Sequence, residues 1–307
     1  MSILDWLLDS DPAIRWQVMR DLTSEPLDVV TAERAKVAAE GWGARLLALQ
    51  GDDGQWAGGT YWPELAEEPE HQPWTATAWS LQLLRGFGVD PRDERVRRAI
   101  DAVREKVRWK RDDTAFFDGE VEVCKNGLTV GLGAYFGAEV SGIVSRLLEE
   151  QLGDGGWNCE ARDGSTRSSF HTTIAVLEGL LEYGGGPEVD AARERAHEFL
   201  LERHLMRRLS DGVVPDEDWL KFSYPTRWYY DVLRGLDYLR AAEVAPDARM
   251  REAIELVKSK RVDDKWPLEN THLGFVHFEL EDGDGKPSRW NTLRAMRVLD
   301  WYYGWAS

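Results

Sequence analysis

The side chains best suited to bind a metal are concentrated in one stretch of the sequence, between Glu122 and His171. Both cysteines of the chain, Cys124 and Cys159, lie in this stretch, with Glu122 two residues before the first and His171 soon after the second. Thiolate, imidazole and carboxylate groups are the ligands that a borderline-soft cation such as zinc prefers. Together with His204 as a further ligand, these residues predict a zinc site. An open coordination position would make it catalytic, and four protein ligands would make it structural.

Packing is the alternative role for the same side chains. Free cysteines often behave as small buried hydrophobic residues, and a histidine on an apolar helix is often satisfied by a neighbour. The sequence leaves both interpretations open for Cys124, Cys159 and His171.

The composition is that of a folded, soluble globular protein rich in large rings, with 15 Trp and 43% hydrophobic residues in 307. Its formal net charge of −17 disfavours nucleic acid and anionic lipid surfaces, because both attract positive potential. No apolar run reaches membrane-spanning length, and the start lacks a basic segment before an apolar one, so we expect no membrane span and a cytoplasmic location. Nucleotide cofactors are not expected, since no glycine-rich phosphate-binding motif occurs.

A turn of similar sequence recurs along the chain. In each copy an acidic residue is followed by small or polar residues and then by a large apolar one, at residues 53–56, 113–116, 154–157, 211–214 and 263–266. Helical periodicity fills the intervals, with a first segment that is apolar on most faces and a second that is charged on one face. Each repeat is therefore predicted to be a helical hairpin with one enclosed and one exposed helix.

The same pattern predicts an all-α chain in which enclosed and exposed helices alternate. The enclosed helices are expected near residues 13–22, 74–87, 126–137, 171–184, 228–240 and 290–303. The exposed helices are expected near residues 31–50, 93–108, 140–152, 187–206 and 247–260. Six enclosed helices alternating with outer ones can close into an (α/α)6 toroid, which protects the terminal repeats. We expect a single domain over residues 1–307, with an open arc as the alternative.

The recurrent turn resembles a motif of squalene and oxidosqualene cyclases and of protein prenyltransferase β-subunits. It reads Gln-Gly-Asp-Asp-Gly-Gln-Trp up to Trp56 and Gln-Leu-Gly-Asp-Gly-Gly-Trp up to Trp157. Proteins of this superfamily share an (α/α)6 toroid. The resemblance covers nearly the whole chain at the level of repeats and implies that fold, but it does not select one activity.

Two short segments resemble the zinc ligands of prenyltransferase β-subunits, which use Asp-x-Cys at one inner helix and Tyr-His-Thr at a later one. Here the corresponding segments are Glu122-Val-Cys124, with Glu in place of Asp, and Phe170-His171-Thr172. The resemblance implies an enzyme, zinc-dependent, that handles a small apolar or isoprenoid substrate. Complete prenyltransferases also have a helical-repeat α-subunit, so a separate protein partner of that kind is implied.

Squalene-hopene-type cyclases instead use an Asp-x-Asp-Asp motif whose middle carboxyl donates a proton to an alkene. The nearest segment, Asp216-Glu-Asp218-Trp219, has Trp where the last Asp should be. This difference disfavours proton-initiated cyclisation. Asp216, Asp218 and Asp231 are the candidate catalytic carboxylates.

Basic and aromatic residues close to the starts of enclosed helices are candidates for binding an isoprenoid diphosphate. Cations and helix N-termini attract phosphate, and aromatic faces line apolar cavities and stabilise carbocations. The candidate substrate-binding residues are Trp74, Lys221, Arg227, Tyr229, Tyr230, Arg289, Trp290 and Arg294. Exposed loop charge and core packing are the alternative roles for these side chains.

Two further functions stay open beside an isoprenoid-handling enzyme of the prenyltransferase or terpene cyclase kind. One is a non-catalytic toroid that binds a ligand or partner, with a structural metal or none. The other is an (α/α)6 carbohydrate-active enzyme that uses paired carboxylates such as Asp216, Asp218 or Glu122.

Overall fold

The computed structural model describes residues 2–65, 67 and 69–304. In these ranges the chain is all-α, as predicted, and has one short antiparallel sheet. The helices are α1 (Ile3–Leu8), α2 (Pro12–Leu22), α3 (Leu27–Lys36), α4 (Gly41–Leu47), α5 (Thr77–Phe87), α6 (Glu94–Lys106), α7 (Val123–Tyr135), α8 (Ser141–Glu149), α9 (Phe170–Tyr183), α10 (Pro187–Glu202), α11 (Val232–Ala241), α12 (Arg251–Ser259) and α13 (Arg289–Gly304). The strands are β1 (Trp266–Pro267) and β2 (Pro287–Ser288).

The predicted alternation of enclosed and exposed helices is confirmed. Helix α5 buries eight of its eleven residues, whereas its successor α6 buries four of thirteen along a single stripe. The difference follows from composition, because a helix that is apolar on most faces must be covered on most sides. A search for helices long and apolar enough to cross a membrane finds no example within the described ranges.

The predicted exposed helix at 31–50 is wrong, because the chain forms two helices there. At the start of α4, Gly41 adopts a left-handed φ of +62°. A Cβ at this glycine would lie 2.0 Å from the Asp11 carboxylate, which accepts a hydrogen bond from the Trp42 amide. The break in the helix therefore requires a residue without a side chain.

Helix α11 begins later than predicted, at Val232 rather than at 228. The Asp231 carboxylate caps it by accepting hydrogen bonds from the Arg234 amide at 2.8 Å and from the Ser223 hydroxyl at 2.9 Å. The aromatic run at 228–230 therefore lies in the loop before the helix. Trp74 likewise precedes α5, so both groups of rings belong to loops.

Contacts along the chain define two compact units. The first comprises Met1–Val121, Leu128–Val144 and Leu273–Leu280, and the second comprises Glu122–Gly127, Ser145–His272 and Glu281–Ser307. Of the candidate site residues, Trp74 belongs to the first unit and all the others belong to the second. The expectation of one domain over the whole chain stays a prediction.

The recurrent turn has the same structural role in three copies. The buried indole of Trp157 donates a hydrogen bond to the Leu147 carbonyl at 2.7 Å, and its amide donates to the Thr173 hydroxyl at 3.0 Å. In the first unit, the Trp56 indole donates to the Leu46 carbonyl and the Trp56 amide donates to the Thr77 hydroxyl. Near the end of the chain, the Trp266 indole donates to the Val257 carbonyl and the Trp266 amide donates to the Thr292 hydroxyl. Each tryptophan therefore joins the end of an exposed helix to the first part of the next enclosed helix.

The glutamine of the motif ties the turn to the following exposed helix. The side-chain amide of Gln151 donates hydrogen bonds to the Gly155 carbonyl and to the Ala192 carbonyl of α10, at 2.7 and 2.8 Å. In the first unit Gln50 makes the corresponding pair of bonds to Gly54 and to Ala99 of α6. The motif therefore encodes the joint of the helical hairpin rather than a ligand site.

We expect the stability of the second unit to fall in acid through His197. Burial lowers the pKa of this histidine to about 4, with the charge of Arg193 a smaller cause, and its Nε2 lies 2.9 Å from the Tyr238 hydroxyl. Because the unfolded chain takes up the proton near pH 6.5 and the folded chain does not, stability is full above pH 6.5. It falls by about 3 kcal/mol as the pH drops to 4.

Urea denaturation at pH 7, 5.5 and 4 measures this effect against a His197→Gln variant, whose amide can also bond Tyr238. The wild type should lose about 3 kcal/mol more than the variant between pH 7 and pH 4. Equal losses would show that His197 does not stay neutral in the folded chain.

Candidate functional site

Helices α7 and α9 approach each other at two glycines. A Cβ on Gly179 would lie 2.2 Å from the Gly127 carbonyl oxygen, and one on Gly127 would lie 2.7 Å from the Val176 backbone. Helices come this close only where side chains are absent. This crossing places Cys124 and Thr172, near the starts of the two helices, on either side of Cys159.

The two cysteines are in contact. The Cys159 sulfur accepts hydrogen bonds from the Cys124 amide at 3.2 Å and from the Thr172 hydroxyl at 3.5 Å. The hydrogen bond between the thiols, with Cys124 as the donor, lowers the pKa of Cys159 to about 7. The same bond, followed by burial, raises the pKa of the Cys124 thiol. Both are free cysteines of intermediate exposure.

The five expected metal ligands do not form one site. Glu122 pairs with Lys125 at 2.7 Å, and His204 lies beside the Arg249 carbonyl at 3.1 Å. Over the described ranges, no three His, Cys, Asp or Glu side chains are grouped closely enough to hold a metal ion. Zinc content stays a prediction for metal analysis.

His171 accepts a hydrogen bond through one of its ring nitrogens. Its Nδ1 accepts the Tyr230 amide at 2.8 Å, and burial lowers its pKa to about 4, with Arg234 the next cause. The imidazole is therefore neutral at pH 7, and since Nδ1 is the acceptor, the proton is assigned to Nε2. In this tautomer the free nitrogen is a hydrogen-bond donor rather than a metal ligand or a base.

His171 contacts several aromatic rings. We call this group the His171 aromatic cluster, and it consists of His171, Trp219, Trp228, Tyr229 and His272. Trp228 stacks on Tyr229 with ring centroids 3.8 Å apart, and Tyr229 stacks on His272 at 4.0 Å. The edge of His171 meets Trp228 at 5.4 Å and Trp219 at 5.9 Å.

The cluster is accessible and electrically neutral. All members except Trp219 are partly exposed, and burial lowers the pKa of His272 to about 4, with Arg227 the next cause. Trp219 is 8% exposed, and its indole nitrogen is buried with no hydrogen-bond partner among the described residues. A buried donor of this kind costs about 1–3 kcal/mol when it stays unsatisfied.

A buried ion pair supports the loop that carries these rings. The Arg234 guanidinium is 4% exposed and binds both carboxylate oxygens of Glu178 on α9, at 2.8 and 2.7 Å. Its remaining nitrogen donates to the backbone carbonyls of Tyr229 and Arg227, at 2.5 and 3.4 Å. The loop is thereby joined to α9 and α11.

A second group lies around Tyr224, whose ring stacks on Trp290 at 4.2 Å. Burial raises the pKa of the Tyr224 phenol, and Arg294, Arg227 and Arg297 oppose the shift. We call these three residues the Tyr224 arginine cluster; each is less than a tenth exposed. Positive charges buried this far from water are costly without compensating anions.

Carboxylates lie close to this charge. The Arg294 guanidinium lies 3.6 Å from Asp237. Glu281 accepts hydrogen bonds from the Ser288 hydroxyl at 2.6 Å and from the Trp290 and Arg289 amides at 3.1 and 3.4 Å, and so caps the start of α13. Burial raises the pKa of this carboxyl.

The candidate catalytic carboxylates have structural partners. Asp231 caps α11, and burial raises its pKa although Arg294 opposes the shift. Asp216 caps the short 3-10 turn that follows it, accepting the Asp218 amide at 2.9 Å. Asp218 is exposed and pairs with Lys221 at 2.7 Å. None of these three contacts is a catalytic arrangement by itself.

The structure separates the candidate substrate-binding residues. Tyr229 belongs to the His171 aromatic cluster, Arg227 and Arg294 belong to the Tyr224 arginine cluster, and Trp290 stacks on Tyr224. Tyr230 is 2% exposed and donates its hydroxyl to the Leu205 carbonyl at 2.6 Å, which is a packing role. Lys221 lines a surface cavity of about 520 Å³ together with Val262, Asp263, Lys265, Pro267, Leu268, Glu269, Gly285 and Pro287.

Trp74, in the first unit, also has a packing role. It is 1% exposed, and its indole donates to the Leu273 carbonyl at 2.9 Å. Its backbone amide donates to the Phe275 carbonyl at 2.8 Å.

Sequence reasoning missed four members of this region: Glu178, Arg234, Trp219 and His272. A charged residue within an otherwise apolar helical pattern was a usable signal for Glu178 and Arg234, because such a charge must find a partner. His272 and Trp219 lie in loops and carried no periodic signal. Only the folded chain places them against His171.

No protein-family model matches the sequence, and no curated protein matches it. Among solved structures, the chain is similar to a protein from Actinoplanes, with 21% identity over 97% of this chain and 91% of that one, and a TM-score of 0.45. It is also similar to a type II terpene cyclase from Scytonema, solved in complex with its substrate geranylgeranyl dihydroxybenzoate. That likeness has 16% identity over 94% of this chain and 85% of that one, and a TM-score of 0.41. Both likenesses are too distant to assign a site residue or an activity to this chain.

Proposed function

We propose that the second unit binds an isoprenoid-type amphiphile, with its apolar chain against the His171 aromatic cluster and an anionic head group at the Tyr224 arginine cluster. The observation that carries the proposal is the continuous, partly exposed stack of Trp228, Tyr229 and His272, with His171 on its edge. Aromatic rings bind apolar chains by burying apolar surface area, and their faces attract and stabilise carbocations.

Neutral histidines favour an apolar ligand at this cluster. With their pKa values held near 4, His171 and His272 carry no charge at pH 7 and so present ring faces and N–H donors. A ligand oxygen near the cluster would satisfy the His171 Nε2 proton or the buried Trp219 indole. The cluster would therefore bind the apolar chain of the ligand and also make one hydrogen bond to a ligand oxygen.

An anionic head group is favoured by the buried arginines. Arg227 directly precedes Trp228 in the chain, and its charge helps to lower the pKa of His272 and opposes the rise in the pKa of Tyr224. Arg227 also has a left-handed φ of +55°, a conformation that costs a non-glycine residue energy and is often found at binding sites. A diphosphate would accept charge-assisted hydrogen bonds from guanidinium groups of this kind.

Transfer or cyclisation of the bound isoprenoid is the finer part of the proposal. It would rest on carbocation stabilisation by the rings of the cluster. Because Asp216, Asp218 and Asp231 are engaged in caps and an ion pair, we assign binding and orientation to this region and no acid to the chemistry.

Calorimetric titration with farnesyl diphosphate, farnesol and inorganic pyrophosphate tests the binding proposal. We expect Trp228→Ala to weaken farnesyl diphosphate and farnesol alike, by about 3- to 10-fold, because one ring contact is lost. Arg227→Met should weaken farnesyl diphosphate at least about 10-fold and leave farnesol unchanged, because only the charged head group is affected.

Two exposed residues supply matched controls, Trp62→Ala at 47% exposure and Arg98→Met at 69%. Neither should change any affinity. If farnesyl diphosphate does not bind, or binds equally well to all four variants, the proposal fails. Binding of an oligosaccharide in its place would favour the carbohydrate-active alternative.

A further inference from the structure

We propose that Cys124 and Cys159 form an oxidisable dithiol, a modification site at which Cys159 reacts first with a peroxide and Cys124 then closes a disulfide. The two cysteines are 35 positions apart in sequence, and they are the only ones in the chain. The fold nevertheless brings them into contact in the second unit.

The distance between the two residues suits a disulfide. The Cys159 sulfur lies 3.2 Å from the Cys124 amide nitrogen. Since the N–Cα bond is about 1.46 Å long, this sulfur lies within about 4.7 Å of the Cys124 Cα. The Cys159 sulfur therefore lies against the backbone of its partner, and such closeness is what a disulfide requires of two cysteines.

The environment distinguishes the two sulfurs. Cys159 accepts hydrogen bonds from the Cys124 amide and the Thr172 hydroxyl, and the amide belongs to the first turn of the 13-residue helix α7. Amide and hydroxyl donors at a helix start stabilise negative charge on sulfur. Cys159 is therefore the nucleophile, and Cys124 is the thiol that resolves its oxidised form.

The site is held in place and open to a small oxidant. Both cysteines are partly exposed, and the close crossing of α7 and α9 at Gly127 and Gly179 fixes the helix starts around them. His171 faces the aromatic cluster and bonds Tyr230, so it does not join the two thiols.

The reaction balances with one molecule of hydrogen peroxide. The Cys159 thiolate attacks a peroxide oxygen, the O–O bond breaks, and a sulfenic acid and hydroxide form. The Cys124 sulfur then attacks the Cys159 sulfur and loses its proton, the S–O bond breaks, and the departing hydroxide takes up that proton as water while the disulfide forms. The two thiols lose two protons and two electrons, and the peroxide becomes two molecules of water.

Stoichiometric hydrogen peroxide on the reduced full-length protein tests the proposal, with free-thiol titration, intact mass and peptide mapping as readouts. We expect two free thiols to become none, with a mass loss of two hydrogens, a peptide linking Cys124 to Cys159, and recovery with dithiothreitol. Iodoacetamide should alkylate Cys159 at least about tenfold faster than Cys124 in the reduced protein.

Serine variants test the order of the steps, and matched thermal melts show whether each variant folds. Cys124→Ser should accumulate a dimedone-reactive sulfenic acid at Cys159, whereas Cys159→Ser should stay unmodified at the same dose. Two free thiols persisting in the oxidised wild type, crosslinking only between molecules, or stoichiometric zinc held by both thiols would each overturn the proposal. If a variant does not fold, the thiol titration, intact mass and peptide map of the wild type still test whether the disulfide forms.

Discussion

Replacing Glu178 by alanine should lower the free energy of unfolding by about 3–5 kcal/mol, which is a large share of the stability of an ordinary domain. The variant leaves the Arg234 guanidinium, 4% exposed, without the carboxylate that binds it through two hydrogen bonds. Water cannot hydrate a charge in this position, so its desolvation is no longer compensated. The loop carrying Tyr229 should loosen as well, because Arg234 also holds its carbonyl.

Urea denaturation measures the loss against a matched surface pair. Glu255 is 58% exposed and pairs with Lys258, so Glu255→Ala should change stability by no more than about 0.5 kcal/mol. A double variant, Glu178→Leu with Arg234→Met, removes both charges and should recover much of the loss. A Glu178→Ala loss no larger than that of the surface control would contradict the role of the ion pair.

Trp157→Ala should also lower the free energy of unfolding by about 3–5 kcal/mol, because it removes a large buried side chain. The side chain is fully buried and its indole is bonded to the Leu147 carbonyl at 2.7 Å. Its removal leaves a cavity between the end of α8 and the start of α9, together with an unsatisfied carbonyl. The neighbouring Thr173 bond to the backbone amide does not depend on the ring and should persist.

Trp157→Phe separates the two contributions. Phenylalanine keeps most of the buried ring area but has no N–H, so the loss should fall to about 1–3 kcal/mol. Trp62→Ala, at a position 47% exposed, should stay near the wild type. Chemical denaturation of the three variants measures these losses of stability. A denaturation midpoint of Trp157→Ala equal to that of Trp62→Ala would rule out a structural role for the recurrent turn.

Disulfide formation by the two cysteines and ligand binding at the aromatic cluster are tested by separate measurements. Disulfide formation is read from thiols and mass, and ligand binding is read from calorimetry on Trp228 and Arg227 variants. A chain that binds farnesyl diphosphate but never closes the disulfide would refute one proposal and support the other.

The sequence by itself determined most of the helices and the joints between them. Apolar periodicity located α5, α9 and α13 because a helix that must be enclosed needs apolar residues on most faces, a local property of the chain. The recurrent turn was likewise readable because its tryptophan, glycine and glutamine act on the adjacent helices.

Only the tertiary structure decided which side chains share a site. His171 and Cys124 open neighbouring enclosed helices, yet the imidazole accepts the Tyr230 amide and packs on rings, while the thiol meets Cys159. The capping bond of Asp231 ends the loop before α11 and so moves Trp228 and Tyr229 out of a helix and into the aromatic cluster. Helical periodicity fixes which face of a helix is buried, but the partner of a polar side chain depends on loops and on residues distant in sequence, and those contacts form only when the chain is packed.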